Sequence, residues 1–238
     1  QDLVDAFYMQ DGQSIENSSL YDPQDPYENR SVRFYANVIY HGRQYRGRKV
    51  EAHYPAEGAE NVEPGIDSRA SSVQRWNSSP TGYWHYKFMD ESVDFAKTQS
   101  DVPLIIFRLG EIYLNYAEAQ YQLGNTGTAR EYVNKIRQRV SLPPIPASEF
   151  DMEDIRRERR LELAFENDHR FMDVRRWEIL DETAAKDAIK MSIYKHDDGS
   201  LDYVEGVAQD RAFKPKMYNF PIPFDEIQKS GLTQNPHY

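Results

Sequence analysis

The side chains best equipped for chemistry lie just past the middle of the chain. Glu158, Glu162 and Glu166 recur every four positions, so on a helix they form one acidic row. Two carboxyls held roughly 5–9 Å apart can serve acid–base hydrolysis of a glycosidic bond. Their neighbours argue against that use. Arg156, Arg157, Arg159, Arg160, Arg170, Arg175 and Arg176 crowd the same stretch. A guanidinium beside a carboxylate favours the ionised form and makes it a poor general acid. An ion-pair network holding two helices in register accounts for the same residues.

Other reactive residue types are placed less well. Ser71, Ser72, Ser78 and Ser79 lack the glycine pattern of a nucleophile elbow. Six histidines, His41, His53, His85, His169, His196 and His237, are scattered, and none forms a metal-binding pair of the HExxH kind. The HDDG run at 196–199 reads as a hairpin turn, since a calcium loop needs alternating acids and a distal Glu. No metal or cofactor is implied. A third group suits binding. Tyr40, Tyr45, Tyr54, Trp76, Tyr83, Trp84 and Tyr86 fall within the first 90 residues, with Arg43, Arg46, Arg48, Arg75 and Asn77 beside them. Pyranose rings pack flat C–H faces on aromatic rings, and their hydroxyls need polar partners nearby. The planar donor fork of Arg suits adjacent hydroxyls. The candidate ligand-binding residues are therefore Trp76, Tyr45, Arg46, Arg43, Arg75, Asn77 and Tyr54. Tyr83, Trp84 and Tyr86 alternate as in a strand, so one face of that run is expected to pack inward.

These residues need a frame, and the frame is helical. From 104 to 140 the chain reads as a helical hairpin broken at Gly124-Asn125. Leu109, Ile112, Tyr113, Tyr116, Ala117 and Leu123 place an apolar stripe on its first helix, and Ala129, Val133 and Ile136 a stripe on its second. Ala117 and Ala129 let the two approach closely. The spacing is that of a tetratricopeptide unit, and one such unit cannot bury its own apolar face. Pro143, Pro144 and Pro146 form a stiff joint. Asp151, with Asp154 three residues on, is placed to cap the next helix. A turn at Asn167-Asp168 starts a fourth helix, where Phe171, Val174 and Trp177 share a stripe read as core. Before residue 104, Arg33–Tyr40 is rich in aromatic and β-branched residues and reads as a strand, with a partner over Lys49–His53. Residues 55–80 form a long loop. The expected fold is mostly α: a tetratricopeptide-like helical hairpin plus a second helix pair, with irregular loop-rich segments and short β hairpins. Residues 1–103 form a loop-rich part with short strands that carries the candidate binding residues. Residues 104–238 form the helical core and a C-terminal wrap.

Composition narrows the partners. The chain has 238 residues, and 29 Lys plus Arg against 39 Asp plus Glu give a net charge of −10. That balance disfavours nucleic acid and anionic lipid, which select basic surfaces. The absence of cysteine excludes disulfides and zinc–thiolate sites. No run of 18 apolar residues is present, and no signal-peptide pattern heads the sequence.

Residues 158–177 read ERRLELAFENDHRFMDVRRW. With LGEIYLNYAEA at 109–119, the FPIP…TQNPHY ending from Phe220 to Tyr238, the opening DAFYMQDGQSI and YDPQDPYENRSVRFYANVIYHG, this run resembles the SusD/RagB family over essentially the whole chain. The one departure is Asn167-Asp168 in place of the family's usual glycine turn. The resemblance implies non-catalytic capture of a glycan at the bacterial outer surface and delivery to a TonB-dependent transporter of the SusC/RagA type. It also implies that the chain is the C-terminal half of a longer lipoprotein, with the lipid anchor in the other half. The family's sugar-contacting residues lie on variable loops and do not transfer position by position. Two other readings stay open: a helical-repeat scaffold that binds a peptide or protein partner, and a glycoside hydrolase using the Glu158/Glu162 region.

Overall fold

A computed structural model describes residues 1–73, 75–94, 97–180 and 187–238. Seven α-helices are described: α1 (Asp2–Ala6), α2 (Val32–Asn37), α3 (Leu109–Gln122), α4 (Thr126–Arg139), α5 (Met152–Glu162), α6 (His169–Arg176) and α7 (Phe224–Ser230). The strands are β1 (Val38–Ile39), β2 (Gln44–Tyr45), β3 (Arg48–Lys49), β4 (Tyr54–Pro55), β5 (Trp84–His85), β6 (Ala188–Lys195) and β7 (Leu201–Gln209).

The helices follow from local chemistry. α3 stops where Gly124 takes φ +81 and its N–H, with that of Asn125, bonds back to Tyr121 and Gln120, as a left-handed helix end does. α4 returns against α3, with Ala117 and Ala129 fully buried at the contact beside Val133, Ile145 and Ile155. Small residues there allow the close approach that the spacing predicts. α5 begins with a reciprocal capping box. Asp151 Oδ1 accepts from the Asp154 N–H, and Asp154 Oδ2 accepts from the Asp151 N–H, both at 3.1 Å. The turn into α6 runs through Asn167 and Asp168 at φ +34 and +50, so these two residues supply the geometry for which a glycine would otherwise be needed.

The described strands form three small sheets. β2 and β3 make a tight hairpin across Arg46 and Gly47, both at positive φ. β1 pairs with β5. β4 adds in parallel to β6, which pairs antiparallel with β7 across the turn at 196–200. The largest apolar cluster draws Val4, Phe7, Tyr27, Phe34 and Val38 together with Val140, Leu142 and Leu161. The loop-rich part and the helices therefore share a core. The C-terminal ending folds back on itself: Gln234 exchanges two bonds with the backbone of Ile222, and Asn235 Nδ2 donates to the Phe220 carbonyl.

Three expectations are corrected. Residues 33–37 are helical, and only Val38–Ile39 is strand. The apolar run buries Phe34 together with Arg33 and Asn37, a set that helical spacing brings to one side and strand alternation would not. The expected partner over Lys49–His53 is replaced: β1 pairs with β5 at Trp84–His85, and Arg48–Lys49 pairs with Gln44–Tyr45. Trp177 is half-buried and not core. Its Nε1 donates to Glu118 Oε1 at 2.9 Å, and Phe171 beside it is exposed while Val174 alone of that stripe is buried.

Candidate functional site

The acidic row is the most heavily paired feature of the molecule. Glu158 is fully buried and bonds Arg33 through Oε2 and Arg137 through Oε1, both at 2.8 Å. Glu162 meets Arg108 at 2.7 Å, Arg139 at 2.8 Å and Arg33 at 3.4 Å. Glu166 takes Lys87 at 2.5 Å and Arg108 at 2.7 Å. The partners thus come from α2, α4, the segment leaving β5 and the segment entering α3, rather than from the arginines adjacent in sequence. Of those neighbours, Arg159 pairs with Asp173 at 2.7 Å, and Arg157 donates to the Ala6 carbonyl. Burial pushes the Glu162 and Glu166 carboxyls up, but the cations outweigh it and hold both below the usual range. Ionised carboxylates with every oxygen occupied by a cation have no proton to give. The row is a clamp that fastens α5 to the elements around it.

The predicted binding residues separate into three places. Tyr45, on β2, meets Tyr86 edge-on at 6.2 Å, and the Arg43 guanidinium lies 3.8 Å over the Tyr86 ring. Arg43 is otherwise spent on the backbone, donating to the carbonyls of Tyr35 and Val38. Arg46, at the hairpin tip, reaches the Val93 carbonyl at 2.6 Å, and its N–H donates to Glu91. Tyr54, on β4, packs on Tyr194 of β6 at 5.9 Å. Arg75, Trp76 and Asn77 form a single 3-10 turn. There the Asn77 backbone carbonyl accepts from Trp84 Nε1 at 3.1 Å, and Trp76 is 78% exposed. Tyr54 and Trp84 line one small cavity with Asp67 and Arg69, so the second and third places adjoin. Of the strand-like aromatics, Tyr83 packs inward and bonds Tyr27 Oη and Gln1.

Tyr40 is among the aromatics legible in the sequence, but the two rings grouped with it are not. Tyr27, Tyr40 and Tyr203 face one concavity. Tyr27 directly follows the Asp25-Pro26 step and Tyr203 lies in the distant β7, and no local pattern links them. The one available signal was composition, a tyrosine-rich chain with 17 of them. Among the described residues no group of three or more His, Asp or Glu is arranged to hold a metal ion, and no described helix is long and apolar enough to cross a membrane.

A sequence profile of the SusD family matches residues 1–238. A SusD-like protein of Bacteroides fragilis NCTC 9343 has a similar solved structure, with a TM-score of 0.72 and 34% identity, covering 100% of this chain and 46% of that one. A SusD-like carbohydrate binding protein from the same organism aligns with a TM-score of 0.67 and 24% identity, covering 95% of this chain and 46% of that one. The chain therefore spans about half the length of the solved proteins it matches. No curated protein matches it. The end-to-end profile match and the shared fold at 34% identity agree with the motifs of the α3, α5 and C-terminal segments, and place this chain in the SusD family.

Proposed function

We propose that the chain captures a glycan at the bacterial outer surface, without altering it chemically, and hands it to a SusC-like TonB-dependent transporter. The observation that carries this reading is Trp76. An indole buries one of the largest apolar faces of any side chain when it packs. Here it is left out in solvent on one helical turn, flanked by Arg75 and Asn77. Membership of a family that includes a carbohydrate binding protein supplies the ligand class. The paired carboxylates of α5 supply no general acid, which favours binding over turnover. The outer-membrane setting and the transporter rest on the family alone.

A second reading, a scaffold that docks a protein partner, draws on α3. Leu109, Ile112, Tyr116 and Leu123 are all exposed on that helix, an apolar stripe of the kind that partners cover. Calorimetric titration of neutral and acidic polysaccharides into the protein and into Trp76→Ala separates the two. Under the first reading a polysaccharide binds and the substitution weakens it by about tenfold, the scale of a lost aromatic platform, with no change in melting temperature. Heat from no glycan overturns that reading and leaves the scaffold.

A further inference from the structure

A cavity of about 440 Å³ lies between the turn at 24–28, the β2–β3 hairpin and the β6–β7 hairpin, within the size range of small-ligand sites. Its aromatic wall is rigid. Tyr27, 5% exposed, sits 4.6 Å from Tyr40 and 5.7 Å from Tyr203, with Phe34 stacked behind it at 6.1 Å. The buried Arg30 guanidinium donates to the carbonyls of Pro26 and Phe7, which holds the turn carrying Tyr27. Rings fixed in this way lose no rotamer freedom when a ligand arrives.

Tyr27, His41 and His53 are bonded at this cavity, but its other titratable groups are open, in contrast to the clamp on α5. Among the described residues the hydroxyls of Tyr40 and Tyr203 bond to nothing. Asp25, Glu28 and Glu51 offer acceptors, Lys49 and Lys195 offer donors, and none of these five side chains makes a hydrogen bond or ion pair there. Open groups of both signs beside aromatic faces match a hydroxyl-rich ligand, because each hydroxyl both donates and accepts. Three carboxylates against two ammoniums disfavour an anionic ligand. A cationic ligand would leave the lysines facing like charge.

We propose that this cavity is a subsite for an uncharged pyranose residue, which lies against Tyr40 and Tyr203, donates hydroxyls to Asp25, Glu28 or Glu51, and accepts from Lys49 and Lys195. The proposal rests on the reading that the ligand is a glycan. It adds the place where one sugar is held and the charge class of that sugar.

The test titrates maltohexaose, cellohexaose, mannohexaose and xylohexaose, with polygalacturonate as the acidic probe, into the protein and two variants. Glu28→Gln/Lys49→Met alters two exposed groups and should leave the fold intact, as thermal melting would check. Tyr203→Phe keeps the packed ring and removes only its hydroxyl. The expected result is binding of at least one neutral hexaose, weakened about tenfold or more in the double variant and about threefold in Tyr203→Phe. A neutral hexaose that binds all three proteins within about twofold overturns the subsite and leaves the glycan reading standing. Polygalacturonate binding more tightly than every neutral probe overturns the uncharged class. Failure of every probe to bind overturns both the subsite and the reading beneath it.

Discussion

Glu162 shows how much a single side chain holds together in this protein. Nearly all its surface is buried, and three guanidiniums from three segments reach it. Removing one member of such a buried set leaves the others uncompensated, so Glu162→Ala is expected to cost about 3–5 kcal/mol, read by urea denaturation. The folded-state pKa of Glu162 is depressed. Its stabilisation is therefore full above the ordinary value of 4.5 and is lost as pH falls through the folded value. His41 adds to the same acid sensitivity. Burial, with His53 and Lys195 nearby, pushes its imidazole from 6.5 down to about 4. The unfolded chain therefore takes up a proton that the folded chain refuses, and stability falls as pH drops from 6.5 towards 4. Asp5, pushed up to about 6 by burial and by Glu205, opposes this, since its contribution grows as pH falls from 6. His41 Nδ1 accepts from the Ala52 N–H at 3.1 Å, a bond that an asparagine can replace. His41→Asn is therefore expected to flatten the fall in melting temperature between pH 6.5 and 4. An unchanged slope would show that another group carries it.

At the scale of an element, α3 has two faces with different fates. Leu114 and Ala117 are fully buried against α4 and α5, while Leu109, Ile112, Tyr116 and Leu123 face outward. Helical spacing showed that the helix is amphipathic, and most of the stripe read from it lies on the outward face. The apolar character of α3 exceeds what this chain covers, as a lone tetratricopeptide unit requires. Leu114→Ala should cost about 2–5 kcal/mol, as large-to-small core changes do. Ile112→Ser should change stability by no more than about 0.5 kcal/mol. Comparable losses for both, measured by denaturant unfolding, would mean that the outward face is covered in solution.

Across the whole molecule, the β6–β7 hairpin is tied to the first hundred residues by backbone contacts. β4 adds to β6, and the Met191 N–H donates to the Thr81 carbonyl at 3.0 Å. Gly82 makes the second contact feasible. It sits at φ +84, and a Cβ there would meet the Met191 carbonyl oxygen at 2.4 Å. Gly82→Ala combines an unfavourable backbone conformation with a clash against backbone that cannot swing away. It should destabilise the protein by at least about 1–3 kcal/mol in chemical denaturation. A neutral result would require the hairpin to shift, taking Tyr203 away from Tyr27.

The sequence by itself determined what is local or periodic. The α3–α4 hairpin follows from 3.6-residue spacing, the end of α3 from Gly124, the start of α5 from Asp151 and Asp154, and the turn before α6 from Asn167-Asp168. The family was legible in the α5 motif and the chain ending, because those residues make a fixed set of contacts that constrains their types. Tertiary structure alone decided which partners those residues take. Glu158 turns from the arginines adjacent in sequence to Arg33 and Arg137, because a residue on the buried face of α5 can be reached only by side chains from elements packed against that face. The helical state of residues 33–37 was hidden for a related reason: aromatic and β-branched content favours strand locally, and burial of Phe34 overrides it. The cup of Tyr27, Tyr40 and Tyr203 was the least legible feature, since its rings come from three separated segments and only Tyr40 stood among the aromatics that the sequence singles out. Only chain folding brings their faces and the open charges of Glu28, Lys49 and Lys195 around one cavity.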